Sequence, residues 1–420
     1  MHRETERKQL CGKISVCISE IMNCRVCGSS NLELCIDLGN QPWCNNFLEE
    51  KDVGKEPTYP LRVVFCHDCS TAQLDYTVKK EIMFGDHTYL SGITQSLSDH
   101  FKQVAAESHG FYLEQKKERT ARVLDIGSND GTQLKHFQDL SCECVGVESS
   151  ISTASIANKR GIYTLNKFFN LDVAKDINQK FDIINASGVF FHLEELHSVC
   201  KGIKLLLDDD GVFKVQFLYI KNIIDNCAFD QIYHEHLLYY SLKSLSELLN
   251  QYDLEIFDAY LAKIHGGSII ASVCHKGRYN KTKQVRDLED SEESSNLNTI
   301  NTYKSFAKKI EDMKEKDLLF LNKAIDDGKL IYGFGAPVKG NTLLNYYNID
   351  SKTISLLVEK NNLRKNLYSP GSHIKVVLED ELDKQPDIYY VLAWNFKNEI
   401  LKNNVDLIEQ GVEFYFPVNP

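Results

Sequence analysis

Four consecutive residues, Tyr233-His234-Glu235-His236, set a phenol, a carboxylate and two imidazoles side by side. An imidazole with an ordinary pKa of about 6.5 accepts protons near neutrality. A neighbouring carboxylate or phenol can orient it or raise its basicity. Along an extended segment, Tyr233 and Glu235 fall on one side, His234 and His236 on the other. The run lacks the H-E-x-x-H spacing that brings two imidazoles to one metal from a helix, so the chemistry it predicts is proton transfer. His192, in Val-Phe-Phe-His-Leu, and Tyr89, in Thr-Tyr-Leu-Ser-Gly92, are further candidates; His265-Gly-Gly-Ser268 reads as a tight turn.

A second chemistry sits near the front. Thirteen cysteines occur in the chain, eight of them within the first 69 residues. Cys24-x-x-Cys27 and Cys66-x-x-Cys69 are two matched pairs, and together they supply the four thiolates of a tetrahedral zinc site. Four protein ligands leave no open coordination position, which makes the expected zinc structural.

Two glycine loops follow. Residues 122–131 read Arg-Val-Leu-Asp-Ile-Gly-Ser-Asn-Asp-Gly. A strand over Val123–Ile126, a turn at Gly127 and a helix from Thr132 let backbone N–H groups approach a ligand closely. The next strand ends in Glu148, an acid able to accept hydrogen bonds from both hydroxyls of a ribose. Nicotinamide dinucleotides and S-adenosylmethionine both use this layout. Asp125, two residues before Gly127, matches the D/E-x-G-x-G-x-G pattern of class I methyltransferases, with Asn129 at the middle glycine and Gly131 at the last. The G-x-G-x-x-G spacing that suits a pyrophosphate is missing, so the expected ligand is S-adenosylmethionine, held by Asp125, Gly127, Asn129, Gly131 and Glu148. A second strand–loop–helix at 329–341 carries Gly335, Lys339 and Asn341, with Glu359 ending the following strand. It reads as a cradle for a phosphorylated or nucleotide-bearing group.

The elements that must position these residues follow from patterning. At 43% hydrophobic and 25% charged the chain is an ordinary globular one, long enough for two or three domains. Its net charge of −11 speaks against nucleic acid as a partner, and no apolar run approaches the roughly 18 residues of a membrane span. Residues 1–21 have no clear pattern and no secretory h-region, so they read as an extension of unknown role on a cytoplasmic protein. Residues 22–78 form the zinc domain and 79–276 an α/β domain. Polar, mixed-charge residues 277–300 read as a linker. Residues 301–420, opening on an amphipathic helix from Tyr303 to Ile325, form a second α/β domain.

In this order the pieces resemble the bacterial sugar C-methyltransferases that act on nucleotide-linked 4-keto-deoxy sugars. The resemblance runs from about Cys24 to the C-terminus. Its carriers are the two C-x-x-C pairs, Tyr89-x-Ser-Gly92, Asp125-Ile-Gly-Ser-Asn-Asp-Gly131, Phe229-Asp-Gln-Ile-Tyr-His-Glu-His236, His265-Gly-Gly-Ser268, Gly335-Ala-Pro-Val-Lys-Gly-Asn341 and Ala393-Trp-Asn-Phe396. It implies a class I methyltransferase Rossmann-like domain between a small zinc domain and a C-terminal Rossmann-like domain that helps hold the nucleotide sugar. It also implies methylation of C3 through an enolate, with His236 as base and Tyr233 as its close rival, Glu235, Tyr89 and His192 around them, and thymidine diphosphate as carrier. A nucleotide-sugar oxidoreductase or epimerase, or a zinc-containing binding module without turnover, are the competing readings. The chain departs from the family at Gly188, where the family tends to have Asn, and after the HGGS turn, where Ile269, Ile270 and Ala271 stand in place of an Arg. A monomer or weak homo-oligomer is expected.

Overall fold

The computed structural model describes residues 19–85, 90–93 and 95–418. Tyr89 lies outside the described residues, as do residues 1–18 of the expected extension. Residues 19–21 are not apart from the zinc domain: Ser19–Glu20 pairs antiparallel with Tyr76–Thr77, and the Ile21 amide donates to the Asp75 carbonyl.

The N-terminal sheet is antiparallel, with β1 (Leu32–Pro42), β2 (Thr58–Cys66) and β3 (Ala72–Leu74). Tyr59, Leu61 and Val63 of β2 alternate into its core, as the two-residue period of a strand requires. A fourth strand comes from far along the chain: Leu238–Tyr239 pairs with β3, Leu238 opposite Gln73 and Tyr239 opposite Ala72.

The central sheet holds β4 (Arg122–Ile126), β5 (Glu143–Glu148), β6 (Thr164–Asn166), β7 (Phe181–Ser187), β8 (Leu207–Leu218), β9 (Leu254–Ala262) and β10 (Ser268–His275). Their spatial order is β6-β5-β4-β7-β8-β10-β9, parallel except for β10, which runs antiparallel to both its neighbours. This is the class I methyltransferase sheet. Phe181–Ala186 is buried along its whole length, Asp182 and Asn185 included, as befits a strand covered on both faces. The order reverses between β4 and β7, and the crevice beyond the carboxyl ends of those strands is where such sheets bind ligands.

The C-terminal sheet is wholly parallel. Its strands β11 (Ile331–Phe334), β12 (Leu357–Glu359), β13 (Val376–Leu378), β14 (Ile388–Val391) and β15 (Glu413–Tyr415) lie in the order β13-β12-β11-β14-β15. The order reverses between β11 and β14, so the loops after Phe334 and Val391 face one another. Among the described residues no helix is long and apolar enough to cross a membrane.

The stretch read as a linker is a packed helix. Within 277–300, Lys283–Ser294 is helical and buries Val285 and Glu292. Glu292 Oε1 and Oε2 accept the backbone amides of Leu242 and Lys243 at 2.6 and 3.2 Å, capping the helix Leu242–Asn250. The helical stripe Val285, Leu288, Glu292 was hidden because its last member is charged. Glu292→Ala leaves two buried amides without an acceptor and is expected to cost about 1–3 kcal/mol. Glu292→Gln, which keeps one acceptor oxygen, should cost less. Urea unfolding of the two variants beside the parent checks both, and equal stability of parent and Glu292→Ala would refute the capping role.

Candidate active site and zinc site

Cys24, Cys27, Cys66 and Cys69 converge, every Sγ within 4.8 Å of the others. The Cys24–Cys69 and Cys27–Cys66 sulfurs are each 3.5 Å apart. Zinc–sulfur bonds of about 2.3 Å in a tetrahedron need edges of about 3.8 Å, so the four thiolates fit the ion with little movement. Gln73 Nε2 donates to Cys24 Sγ at 3.0 Å, and the Arg25 amide donates back to Gln73 Oε1 at 2.8 Å. Such outer contacts orient metal ligands. Gln73 is also the register partner of Leu238, two residues beyond His236.

At the carboxyl edge of the central sheet, Gly127 and Gly131 adopt φ of 72° and 79°, and Asn129 is left-handed at 50°. A Cβ on Gly127 would stand 2.4 Å from Val189 Cγ2, so only glycine lets the loop after β4 pass beneath the segment after β7. Glu148 Oε2 accepts the Asn129 amide at 2.9 Å and Oε1 the Ser150 amide at 2.7 Å. A carboxylate has about four lone-pair sites, which leaves acceptor capacity for ribose hydroxyls. Burial, with Glu148 nearby, raises the Asp125 carboxyl well above its ordinary range. Ser128 Oγ is buried without a protein partner, and Gly188, at φ 72°, has open space where a Cβ would be. The open glycine after β7 lies at the switch point, and the orphaned hydroxyl lies on the β5 side of the loop after β4, against Gly146; the first suits entry of a ligand such as the methyl donor. Ser91 and Gly92 dock on this loop, their amides donating to Asn129 Oδ1 and Asp130 Oδ2.

The segment 233–236 is not extended. The His236 amide donates to the Tyr233 carbonyl at 2.8 Å, closing a turn that folds the Tyr233 ring over His236, centroids 3.8 Å apart. Tyr233 therefore shares a side with His236, contrary to the alternation expected of a strand. His234 turns the other way, its Nε2 3.3 Å from the Tyr59 carbonyl, and burial pushes it down to about 4. Glu235 also points to the zinc domain, where its Oε1 accepts Trp43 Nε1–H at 2.7 Å and Asn45 Nδ2–H at 3.2 Å.

His236 is buried, and its Nδ1 lies 2.8 Å from the Gln231 carbonyl. A carbonyl only accepts, so Nδ1 carries the proton and Nε2 carries the lone pair. Burial, then the adjacent His192, drives its pKa well below 6.5. His192 Nδ1 donates to the Glu235 carbonyl at 2.5 Å, and its ring centroid is 5.2 Å from that of His236. The His192 amide donates to Val189, the residue that covers Gly127, so the donor loop and His236 are bridged by Gly188–His192.

In the C-terminal domain, Gly335 takes φ 79°, and Glu359 accepts the Ala336 amide at 2.9 Å, the arrangement of Glu148 with Asn129. Lys339 turns inward to Trp394 and Asp230, and burial lowers its pKa to about 8. Asn341 Nδ2 donates to the Cys44 carbonyl, a bond between domains. Sequence reasoning missed Trp43, Asn45, Asp230 and Trp394 as site residues. The available signal was rarity: the chain has two tryptophans, and both donate to acids of residues 229–236.

Three family models match successive stretches of the chain: "Putative zinc binding domain" over 24–84, "Methyltransferase domain" over 98–259 and "C-methyltransferase C-terminal domain" over 263–419. C-methyltransferase NovU of Streptomyces niveus is 29% identical over 412 residues, 96% of each chain. The chain is similar to C-methyltransferases over almost its whole length. Among solved structures it is similar to the plantazolicin methyltransferase BpumL in complex with SAH (14% identity, 43% of this chain and 85% of that one, TM-score 0.35). It is also similar to a ribosomal protein L11 methylase from Lactobacillus delbrueckii subsp. bulgaricus (16%, 44% and 81%, TM-score 0.30). This C-methyltransferase uses S-adenosylmethionine and carries zinc in its four-cysteine cluster. Elemental analysis of the purified C-methyltransferase should find about one zinc per chain. Cys66→Ser should lose it on gel filtration and unfold at a lower temperature, and retention of the full metal content would exclude the four-thiolate site.

Proposed function

We propose that this enzyme methylates C3 of a nucleotide-linked 4-keto-6-deoxy sugar, carried on thymidine diphosphate, in the cytoplasm. The observation that carries the reading is His236: a neutral imidazole with its Nδ1 proton committed to a carbonyl and Nε2 basic, beside the carboxyl edge of a methyltransferase sheet. When bound, S-adenosylmethionine supplies a methyl group on a positively charged sulfur; Asp125, Gly127, Asn129, Gly131 and Glu148 would hold it. A ketone at C4 acidifies the C3 proton. His236 Nε2 takes that proton, leaving an enolate whose C3 would attack the methyl carbon as the carbon–sulfur bond breaks and S-adenosylhomocysteine leaves.

Tyr233 packs on the imidazole. Its pKa is raised well above 10 by burial, then by Glu235, so it stays a neutral donor. Tyr89 is the candidate donor to the enolate oxygen; His192, one ring away, gives its Nδ1 proton to the Glu235 carbonyl and would donate from Nε2 only as an imidazolium. Glu235 is held off the reacting atoms by Trp43 and Asn45; its backbone carbonyl orients His192. Gly335, Lys339, Asn341 and Glu359 form the proposed nucleotide-sugar side of the cleft.

Incubation with S-adenosylmethionine and a dTDP-4-keto-6-deoxy sugar should yield a product one methylene heavier together with S-adenosylhomocysteine. His236→Asn should lower kcat by about 10²–10⁴, the usual worth of a positioned base. A base works above the pKa of its conjugate acid, and burial has moved that of His236 below 6.5. The acid limb of kcat/KM is therefore expected below pH 6.5, and a limb at or above that value would count against His236.

A further inference from the structure

Trp394 links the C-terminal domain to the segment that carries His236. It is 1% exposed and follows the carboxyl end of β14, at the switch point of the C-terminal sheet. Its Nε1–H donates to Asp230 Oδ2 at 2.7 Å. The Lys339 ammonium sits 3.4 Å from the centroid of the indole and 3.7 Å from the same Asp230 oxygen. The edge of the indole abuts the His265–Gly267 turn: a Cβ on Gly266 would lie 2.9 Å from Trp394 Cη2 and 3.2 Å from Gln231 Nε2. Asp230 and Gln231 are consecutive in the single helical turn Phe229–Gln231, and the Gln231 carbonyl is the acceptor of the His236 Nδ1 proton.

The two partners of Asp230 differ in kind. Lys339 is a charge at 3.7 Å, at the long end of ion-pair range. The indole N–H is neutral, closer at 2.7 Å and fixed by a buried ring. The indole is therefore the donor that anchors the Phe229–Gln231 turn.

We propose that Trp394 is a positioning residue for His236: by holding Asp230 it fixes the Gln231 carbonyl, and with it the tautomer that leaves Nε2 basic. The inference rests on His236 being the base and deepens that reading. The domain proposed to hold the nucleotide sugar also sets the competence of the base in the neighbouring domain.

The test is nuclear magnetic resonance of the zinc-loaded, full-length protein labelled with ¹⁵N in its histidines, His236 being assigned by the signals lost in His236→Asn. In the parent, protonated Nδ1 and bare Nε2 give two well-separated resonances. Trp394→Phe keeps a ring beneath Lys339 and against Gly266 but has no N–H. Its His236 resonances are expected to move toward one another as the tautomers mix. Its kcat should fall between about ten- and a hundredfold, the range that a misplacement of order 1 Å costs. KM should change less than about threefold, since the loss is in the reacting geometry. Titration with S-adenosylmethionine should match the parent, reporting an intact central domain. Asp230→Asn, which keeps an oxygen for the indole, should keep the parent's His236 resonances. If Trp394→Phe loses donor binding, Asp230→Ala, which removes the other half of the bond, is read in its place. Unchanged His236 resonances, or an unchanged kcat, overturn the proposal. Full activity in His236→Asn instead overturns the base assignment, and the resonances still report on what Trp394 holds.

Discussion

The bond from His236 Nδ1–H to the Gln231 carbonyl is the contact on which the site depends. A buried imidazole has two tautomers of similar energy, and only a partner that can do nothing but accept selects between them. That partner is a backbone atom in a single helical turn, too short to hold its own conformation. The turn is gripped instead from outside. Trp394 holds Asp230 on one side, Trp43 holds Glu235 on the other, and Leu238–Tyr239 is stitched into the sheet of the zinc domain. Contacts from both flanking parts of the chain thus meet on about a dozen residues, and His236 lies among them.

The electrostatics follow from the same burial. Asp230 and Glu235 are pushed up and His236 and His234 down, because each pays for leaving water before any partner compensates. Both acids receive an indole N–H, a donor that carries no formal charge. Burial, then the neighbouring His192, lowers the His236 pKa and so favours the neutral imidazole.

Much of this was legible in the sequence where the chemistry is local. Asp125, Gly127 and Glu148 lie on one strand–turn–helix and the strand after it, so their spacing predicts their meeting. The cysteine pairs are equally local, each a turn of four residues. The density of Tyr233-His234-Glu235-His236 marked the site, yet its geometry was misread, because a turn closed between Tyr233 and His236 cannot be told from a strand by composition. Lys283–Ser294 was misread because the residue that seats it is a glutamate capping another helix. Trp43 and Trp394 join the site from the two flanking domains, and contacts across such distances leave no period in the chain.

The strand Leu238–Tyr239 and the two indoles bear on modularity. The family models divide the chain into three parts, but the N-terminal sheet borrows its last strand from the central domain, and the central domain borrows its side-chain anchors from both neighbours. A chimera that exchanged the C-terminal domain for that of a relative would exchange the Asp230 anchor with it. The unit that could be exchanged without breaking these bonds is therefore the C-terminal domain with residues 229–240 attached.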